Sequence, residues 1–410
     1  MAMMRQNRSL RISLLSASLI LFLGFILFKP ASSKSEPKKT NNQVVDQNAT
    51  APKCISLKIV FAIAPTILDV QKAALRYNKD FAYSFNVADG LIDAYSVAFP
   101  LLKGGCIEGN KTISKGYFYS DGCGNLLPFS ASLSWYSVNS YSRDIHVNTP
   151  GYVTWDQLKI MYEANWNVLN HSYSHSVDST TDFAYEIKKN QEYVKQKAGI
   201  DMNFFVPPSG VQEYVSAAFE NGNVCVVGNT REYRGYPTGY RVDSTIDFKK
   251  FMLFKMLLCD ANQDTSNIMR YIDIVASNSK SGQHFWWNDF THHVGFQKSG
   301  ASLYFPLFKF YMESVANKYG ANGLDNMWMA GTQDVFEYLQ VRDNAQVKFT
   351  LDDRVLSIVI DCTKIPTNLH SKALTLNILS DQEFTEVGSE NPCGIKFNGK
   401  GDKKLININW

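Results

Sequence analysis

The chain reads as an α/β fold, a parallel sheet with helical crossovers arranged as a barrel or an open sheet, followed by a small all-β appendage. Three observations predict this. Between Phe81 and Gln340, apolar segments of strand length alternate with helical stretches of about 10–15 residues, the pattern of parallel strands joined by crossovers. After Asn344 the pattern changes to short alternating or β-branched runs with turn residues between them. The length of 410 residues and a hydrophobic content of 45% allow one large core and a smaller second one.

Taken in order, residues 1–33 are expected to be a targeting segment. Arg5, Arg8 and Arg11 precede an apolar-rich run from Ile12 to Phe28, at the short limit for spanning a bilayer. A cleaved signal peptide and an uncleaved membrane anchor both fit, and either one exports the rest of the chain to a periplasmic, cell-surface or secreted location. Residues 34–53 are polar and read as a linker. Cys54 follows no apolar run of the kind that precedes a lipid anchor.

The barrel or open-sheet domain is expected over 54–344. Phe81–Val87 reads as a strand and Leu91–Lys103 as a helix, followed by an insertion rich in Gly, Ser, Tyr and Asn over 104–150. Thr154 is a candidate N-cap for the helix that resumes there. Strands are expected at Trp166–Leu169, Met202–Val206, Val224–Val227, Phe251–Cys259, His284–Phe290 and Asn326–Ala330. Helices are expected at Thr181–Lys197, Val211–Glu220, Ser266–Ser277, Leu303–Tyr319 and Gln333–Gln340. The appendage, 345–410, holds strands at Val347–Leu351, Val355–Ile360, Ala373–Ile378 and Ile406–Trp410. No internal repeat is visible.

Composition narrows the function. A net charge of +3 with no concentrated basic stripe argues against nucleic acid as a partner. Aromatic content of 13% exceeds ordinary needs, and surplus aromatics often line sugar-binding clefts. Among the seven cysteines, Cys106 and Cys123 flank a turn-rich stretch and are the expected disulfide; the odd count leaves at least one thiol unpaired within the chain.

The chemistry concentrates at two places. In the run Asn170-His171-Ser172-Tyr173-Ser174-His175, two of only seven histidines stand four residues apart after a strand. Imidazoles at that spacing can share a metal ion, although a surface or capping pair has the same spacing. Upstream, Asp89-Gly90 follows the strand Phe81–Val87, where α/β folds place ligands, although a helix cap is the plainer role for such an aspartate. Asp89, His171 and His175 together would make a two-His-one-carboxylate site with coordination positions left open.

Four segments in order resemble the motifs of the polysaccharide deacetylases of carbohydrate esterase family four. Asn86-Val87-Ala88-Asp89-Gly90 is similar to T-F-D-D-G, and His171-Ser172-Tyr173-Ser174-His175 matches H-S/T-x-x-H. Val206-Pro207-Pro208-Ser209-Gly210 is similar to R-P-P-Y-G, and Trp286-Trp287-Asn288-Asp289-Phe290-Thr291-His292 resembles the apolar strand that ends in L-x-H. The resemblance covers roughly 80–340 and implies a distorted (β/α) barrel with fewer than eight complete units. It also implies a divalent metal, usually Zn2+ with Co2+ or Ni2+ as other choices, held by Asp89, His171 and His175. His292 would be the acid toward the leaving group.

The sequence departs from the family where a general base and its arginine belong, with Ala88 and Val206, and Ser209 replaces the tyrosine. An arginine without its carboxylate would be a poorly compensated charge, so joint loss is less costly than loss of one. Asp93, Asp289 and His293 are candidate substitute bases. Asp260 falls near a poorly defined family motif, with capping of the following helix as its plainer role. His293 is expected to be structural, and His146 and His284 to be surface residues. Trp286 and Trp287 alternate faces, so one is expected in the cleft and the other in the core. The resemblance implies an exported, metal-dependent hydrolase that removes acetyl groups from a polysaccharide or oligosaccharide by metal-activated water. The departures imply an alternative, a catalytically impaired homologue that binds glycan. Membrane contact is expected only through the N-terminal segment.

Overall fold

The structure is a computed structural model that describes residues 52–230, 238–280, 282–298 and 300–410. The expected targeting segment and all of the expected linker except Pro52 and Lys53 lie outside the described residues. Among the described residues no helix is long and apolar enough to cross a membrane.

The large domain is a distorted (β/α) barrel. Its wall strands are β1 (Phe81–Val87), β2 (Ser132–Trp135), β3 (Asn167–Asn170), β4 (Phe204–Phe205), β5 (Cys225–Gly228), β6 (Phe251–Phe254), β7 (Met256–Leu257), β8 (Phe285–Thr291) and β9 (Met327–Met329). Parallel pairing runs in the order β8-β1-β2-β3-β4-β5-β6. β7 continues β6 beyond Lys255 and pairs in parallel with β8, which closes the ring. The distortion lies at β1: β9 pairs with Phe81–Tyr83, whereas β2 pairs with Asn86 and Val87.

Side-chain alternation sorts β8 into two faces. Trp287 stacks on Tyr271 of the helix Arg270–Ser279, and Asp289 accepts from Tyr311 Oη of the helix Phe305–Tyr319, so this set faces the outer helices. Trp286, Asn288 and Phe290 alternate with them toward the interior. Both tryptophans are fully buried, so neither faces a cleft, contrary to expectation. Trp286 stacks on Phe251 inside the barrel and donates to Ser84 Oγ, which leaves no exposed face to offer. Burial of each such ring contributes on the order of 2–3 kcal/mol.

Several expected bounds move. β2 lies inside the stretch read as an insertion, because Ser132 and Ser134 alternate with Leu133 and Trp135 and disguise a wall strand. Ser134 points inward and exchanges hydrogen bonds with Asn86 of β1 (2.7 and 3.0 Å). The rest of that stretch includes two small hairpins, Gly105–Ile107 with Thr112–Ser114 and Phe118–Ser120 with Leu126–Pro128. Cys106 lies in the first hairpin and Cys123 in the turn of the second, and both are free thiols. The expected disulfide is absent because Cys123 turns toward the β appendage, where its Sγ accepts from Asn407 Nδ2 at 3.3 Å. Thr154 caps the helix Trp155–Glu163 through a reciprocal capping box with Gln157, as its sequence predicts.

The appendage is larger than expected because the chain before the barrel joins it. Cys54–Phe61 lies between Val355–Asp361 and Phe384–Ser389, antiparallel to both, and Leu68–Lys72 pairs with Ala373–Ser380. Ile55, Leu57, Ile59 and Phe61 alternate inward and share a core with Ile358, Leu376 and Ile406. The two sheets, four strands each, therefore combine residues 54–72 with residues 346–409.

Candidate metal centre

The site sits at the C-terminal ends of the barrel strands, where the turns leaving β1, β3, β4, β7 and β8 converge. Asp89 follows β1 by way of Ala88, and His171 follows β3 directly. The ligating atoms of Asp89, His171 and His175 all lie within 4.8 Å of one another. His171 Nε2 is 3.2 Å and His175 Nε2 is 3.7 Å from Asp89 Oδ1. Three of the backbone conformations that achieve this are left-handed at non-glycine residues: Asp89 (φ 70°), Ser172 (φ 67°) and His175 (φ 57°). Such conformations are disfavoured for L-residues and cluster at functional sites.

The tautomer of His171 decides what the cluster can hold. Its Nδ1 lies 2.6 Å from the Val206 carbonyl oxygen, so Nδ1–H donates there and Nε2 turns a lone pair toward Asp89. Despite the 3.2 Å approach, no hydrogen bond of acceptable geometry reaches the buried Asp89 Oδ1. Only a second proton on the ring, or a cation, reconciles the facing lone pair and carboxylate. Burial opposes the ionised form of Asp89, but His171, His292 and His175 hold its carboxyl well below the usual carboxylate range. Burial and the His171 ring push His175 down to about 4, which keeps its imidazole neutral and able to ligate at neutral pH. An anionic oxygen and two neutral nitrogens from a strand-end cradle fit a divalent ion such as zinc.

A buried polar network fixes the histidine loop. Glu186, on the helix Phe183–Ala198, accepts from the backbone N–H of Tyr173 (3.0 Å) and Ser174 (2.7 Å) and from Ser174 Oγ (2.8 Å). Asn170 Oδ1 accepts from Ser172 N–H and from Asn190 Nδ2, and Asn190 donates in turn to the Trp135 carbonyl. The loop between the two histidines is thereby tied to β2, β3 and one outer helix.

The other residues singled out in the sequence take different places. His292 is half-buried with Nδ1 2.9 Å from the Ala301 carbonyl, and desolvation lowers its pKa while the Asp89 carboxylate opposes that shift. Asp93 is buried and accepts from Val294 N–H (2.9 Å), and His293 Nδ1 lies 3.3 Å from the same oxygen. This pair braces the turn after β8, the structural place expected of His293, and gives Asp93, a candidate substitute base, a supporting contact there. Asp289 is excluded as a substitute base, because it faces outward under Trp287 and Tyr311; burial raises its pKa to about 7. Asp260 accepts from Tyr304 N–H at the start of the helix Phe305–Tyr319 and does not cap the segment that follows it. His284 is half-buried against Asp243 at 3.2 Å. His146 is the larger departure from a surface role: it is buried, stacks on Trp135 at 3.5 Å, and meets the carbonyls of Val153 and Tyr136.

Two features were missed in the sequence. Glu186 carried no signal, since a glutamate in the first turn of a helix is ordinary. Lys255 did carry one: it is the single charged residue in the apolar run Phe251–Cys259. Its side chain turns inward and its ammonium lies 3.8 Å from the centre of the Phe290 ring.

Residues 133–221 match the family model described as polysaccharide deacetylase, a span that includes β2 from Leu133 on, both histidines and the Val206 turn. No curated protein matches the chain by sequence. Solved structures with similarity include a deacetylase from Streptococcus pyogenes in complex with acetate (15% identity, 35% of this chain, 54% of that one, TM-score 0.25). The chain thus spans about half the length of that protein. Others are the Xyl-CE4 domain of a multidomain xylanase from the hindgut metagenome of Trinervitermes trinervoides (14% identity, 62% and 89% covered, TM-score 0.32) and a CE4 family pseudoenzyme from Bacillus anthracis (13%, 63% and 66%, 0.31). Over residues 133–221 the chain is similar to the polysaccharide deacetylase family, as a divergent relative.

Proposed function

We propose that the protein is an exported, metal-dependent hydrolase that removes acetyl groups from a polysaccharide. The observation that carries this reading is the convergence of Asp89, His171 and His175, from two strand ends, on one point at the barrel mouth. Asp89, His171 and His175 would hold a divalent cation, which would supply Lewis acidity toward an acyl oxygen and a nucleophilic water near neutral pH. The chain's own residues do the rest. Asp89 and the two imidazoles hold the charge, and the Val206 carbonyl fixes the tautomer of His171. His292, at the end of β8, stands at the rim to pass a proton to the departing sugar nitrogen or oxygen. Tyr136, half-buried and joined to Tyr152 through their hydroxyls at 3.0 Å, presents its ring beside His175, suited to a sugar face. Export rests on the arginine-flanked apolar run before residue 30.

A second reading has its own support. Ala88 and Val206 are both fully buried, so an apolar surface occupies the place of the family's base and arginine. On that reading the cleft holds glycan without cleaving it. Acetate release from acetylated chitooligosaccharides and acetylxylan, measured with zinc, cobalt or nickel supplied, separates the two. Release that vanishes in His171→Ala supports the hydrolase; glycan binding with no release from any substrate supports the binding protein.

A further inference from the structure

Lys255 stands where two wall strands hand over. β6 ends at Phe254 against β5, β7 begins at Met256 against β8, and the register Met256↔Asp289 sets Lys255 opposite Asn288. Alternation turns Asn288 and Phe290 inward, and Lys255 lies over the Phe290 ring. Lys255 is 6% exposed, and among the described residues its ammonium makes no hydrogen bond or ion pair. Asn288 is 1% exposed, and among the described residues neither its amide oxygen nor its amide nitrogen has a hydrogen-bond partner. A buried lysine whose head group meets only the Phe290 ring, beside an amide with no hydrogen-bond partner among the described residues, is costly unless something polar reaches them. The Phe290 ring that Lys255 covers also meets the His292 ring edge-on, with centres 5.7 Å apart, which sets the lysine on the side of the barrel mouth that carries His292.

From this geometry we infer that Lys255, acting as a neutral amine with Asn288 beside it, is the proton acceptor of the site, in place of the carboxylate that Ala88 cannot supply. The inference rests on the hydrolase reading and deepens it. A water in the mouth gives one proton to the Nζ lone pair as its oxygen bonds to the acyl carbon and the carbonyl pair moves onto oxygen. When the bond from the acyl carbon to the sugar nitrogen or oxygen breaks, its electron pair leaves with that atom. As the oxyanion pair re-forms the carbonyl, His292 relays the Lys255 ammonium's proton to the departing atom, so acetic acid and the free sugar amine or alcohol are the only products. The environment suits the role: burial pushes the lysine down to about 7, with Asp89 opposing and His292 as the other titratable neighbour that senses it. An arginine in this place would be permanently protonated and unable to accept.

The test compares wild type, Lys255→Met and Lys255→Arg, loaded with zinc, on an aryl acetate and on acetylated chitooligosaccharides. Both variants are expected to lose about 10²–10⁴-fold in kcat while binding the same amount of zinc. Methionine keeps the apolar stem, so folding is retained, and adding Ala88→Asp to Lys255→Met is expected to recover part of the loss. Wild-type kcat in Lys255→Met overturns the inference. Competitive amine labelling read by mass spectrometry adds a readout that needs no turnover. Lys255 is expected to label with a midpoint near 7, and a midpoint near the ordinary lysine value of about 10 overturns the inference whatever the activity. A midpoint near 7 in a protein that releases no acetate supports the neutral amine and overturns the hydrolase reading instead.

Discussion

The two sides of the barrel mouth differ in kind. On one side Asp89, His171 and His175 converge, with three left-handed residues and a buried network of Glu186, Asn170 and Asn190 holding them. On the other, Ala88 and Val206 are buried and apolar, and Val206 reaches the site through its backbone, with its carbonyl accepting from His171 and its N–H donating to the Asn170 carbonyl. Strain and buried polar groups are expensive to maintain, so their persistence on the first side marks it as the part under functional demand. The second side shows that this backbone frame accommodates apolar side chains at Ala88 and Val206.

The largest expected effect breaks the ordered side. Glu186→Ala leaves the N–H groups of Tyr173 and Ser174 without an acceptor, and its cost is expected at about 3–5 kcal/mol. Loosening the histidine loop also weakens metal affinity by about 10–100-fold. Denaturant unfolding and metal titration measure the two; unchanged values for both would mean that the network does not position the ligands.

A pH experiment away from the mouth comes next. Asp289 has a folded pKa raised to about 7 by burial, well above its unfolded value of about 3.9. The native state therefore holds a proton that the unfolded state has already lost. Its contribution to stability is fully present below pH ~3.9 and is lost as pH rises through ~7. Asp289→Asn keeps an acceptor for Tyr311 Oη and removes the titration, so above pH ~7 it is expected to gain about 2–4 kcal/mol relative to wild type, a difference that disappears toward pH ~4. Thermal melts across that window check the sign, and a parallel pair of curves contradicts it.

The smallest effect sharpens the comparison at the turn that carries Asp89. Gly90 has φ +62°, and a Cβ there would come within 3.0 Å of His146 Cε1 and 3.3 Å of Trp135 Cε3. Gly90→Ala is expected to cost about 1–3 kcal/mol and to disturb Asp89 more than His171. An unchanged melting temperature would show that the buried His146 yields easily.

Much of this was legible in the sequence, for identifiable reasons. β1 and β8 were visible because long apolar strands flanked by helices have few other readings, and the histidine loop was visible through its spacing. β2 was hidden by its serines, whose bond to Asn86 depends on a neighbour 48 residues away in the chain. The alternation of Ile55, Leu57, Ile59 and Phe61 announced a strand, but nothing local reveals that its partners begin at Val355 and Phe384. His146 looked like a surface residue because its cage of Trp135, Trp155 and two carbonyls exists only after folding. Lys255 was legible and was passed over: one charge in an apolar strand is a buried charge in waiting.

The most direct test of the central claim is zinc titration of the purified protein by calorimetry, beside His171→Ala. One tightly bound equivalent in the wild type, weakened by about 100-fold or more when the imidazole is removed, is the result that a site built from Asp89, His171 and His175 requires. Failure of the wild type to bind, or equal binding by the variant, contradicts it.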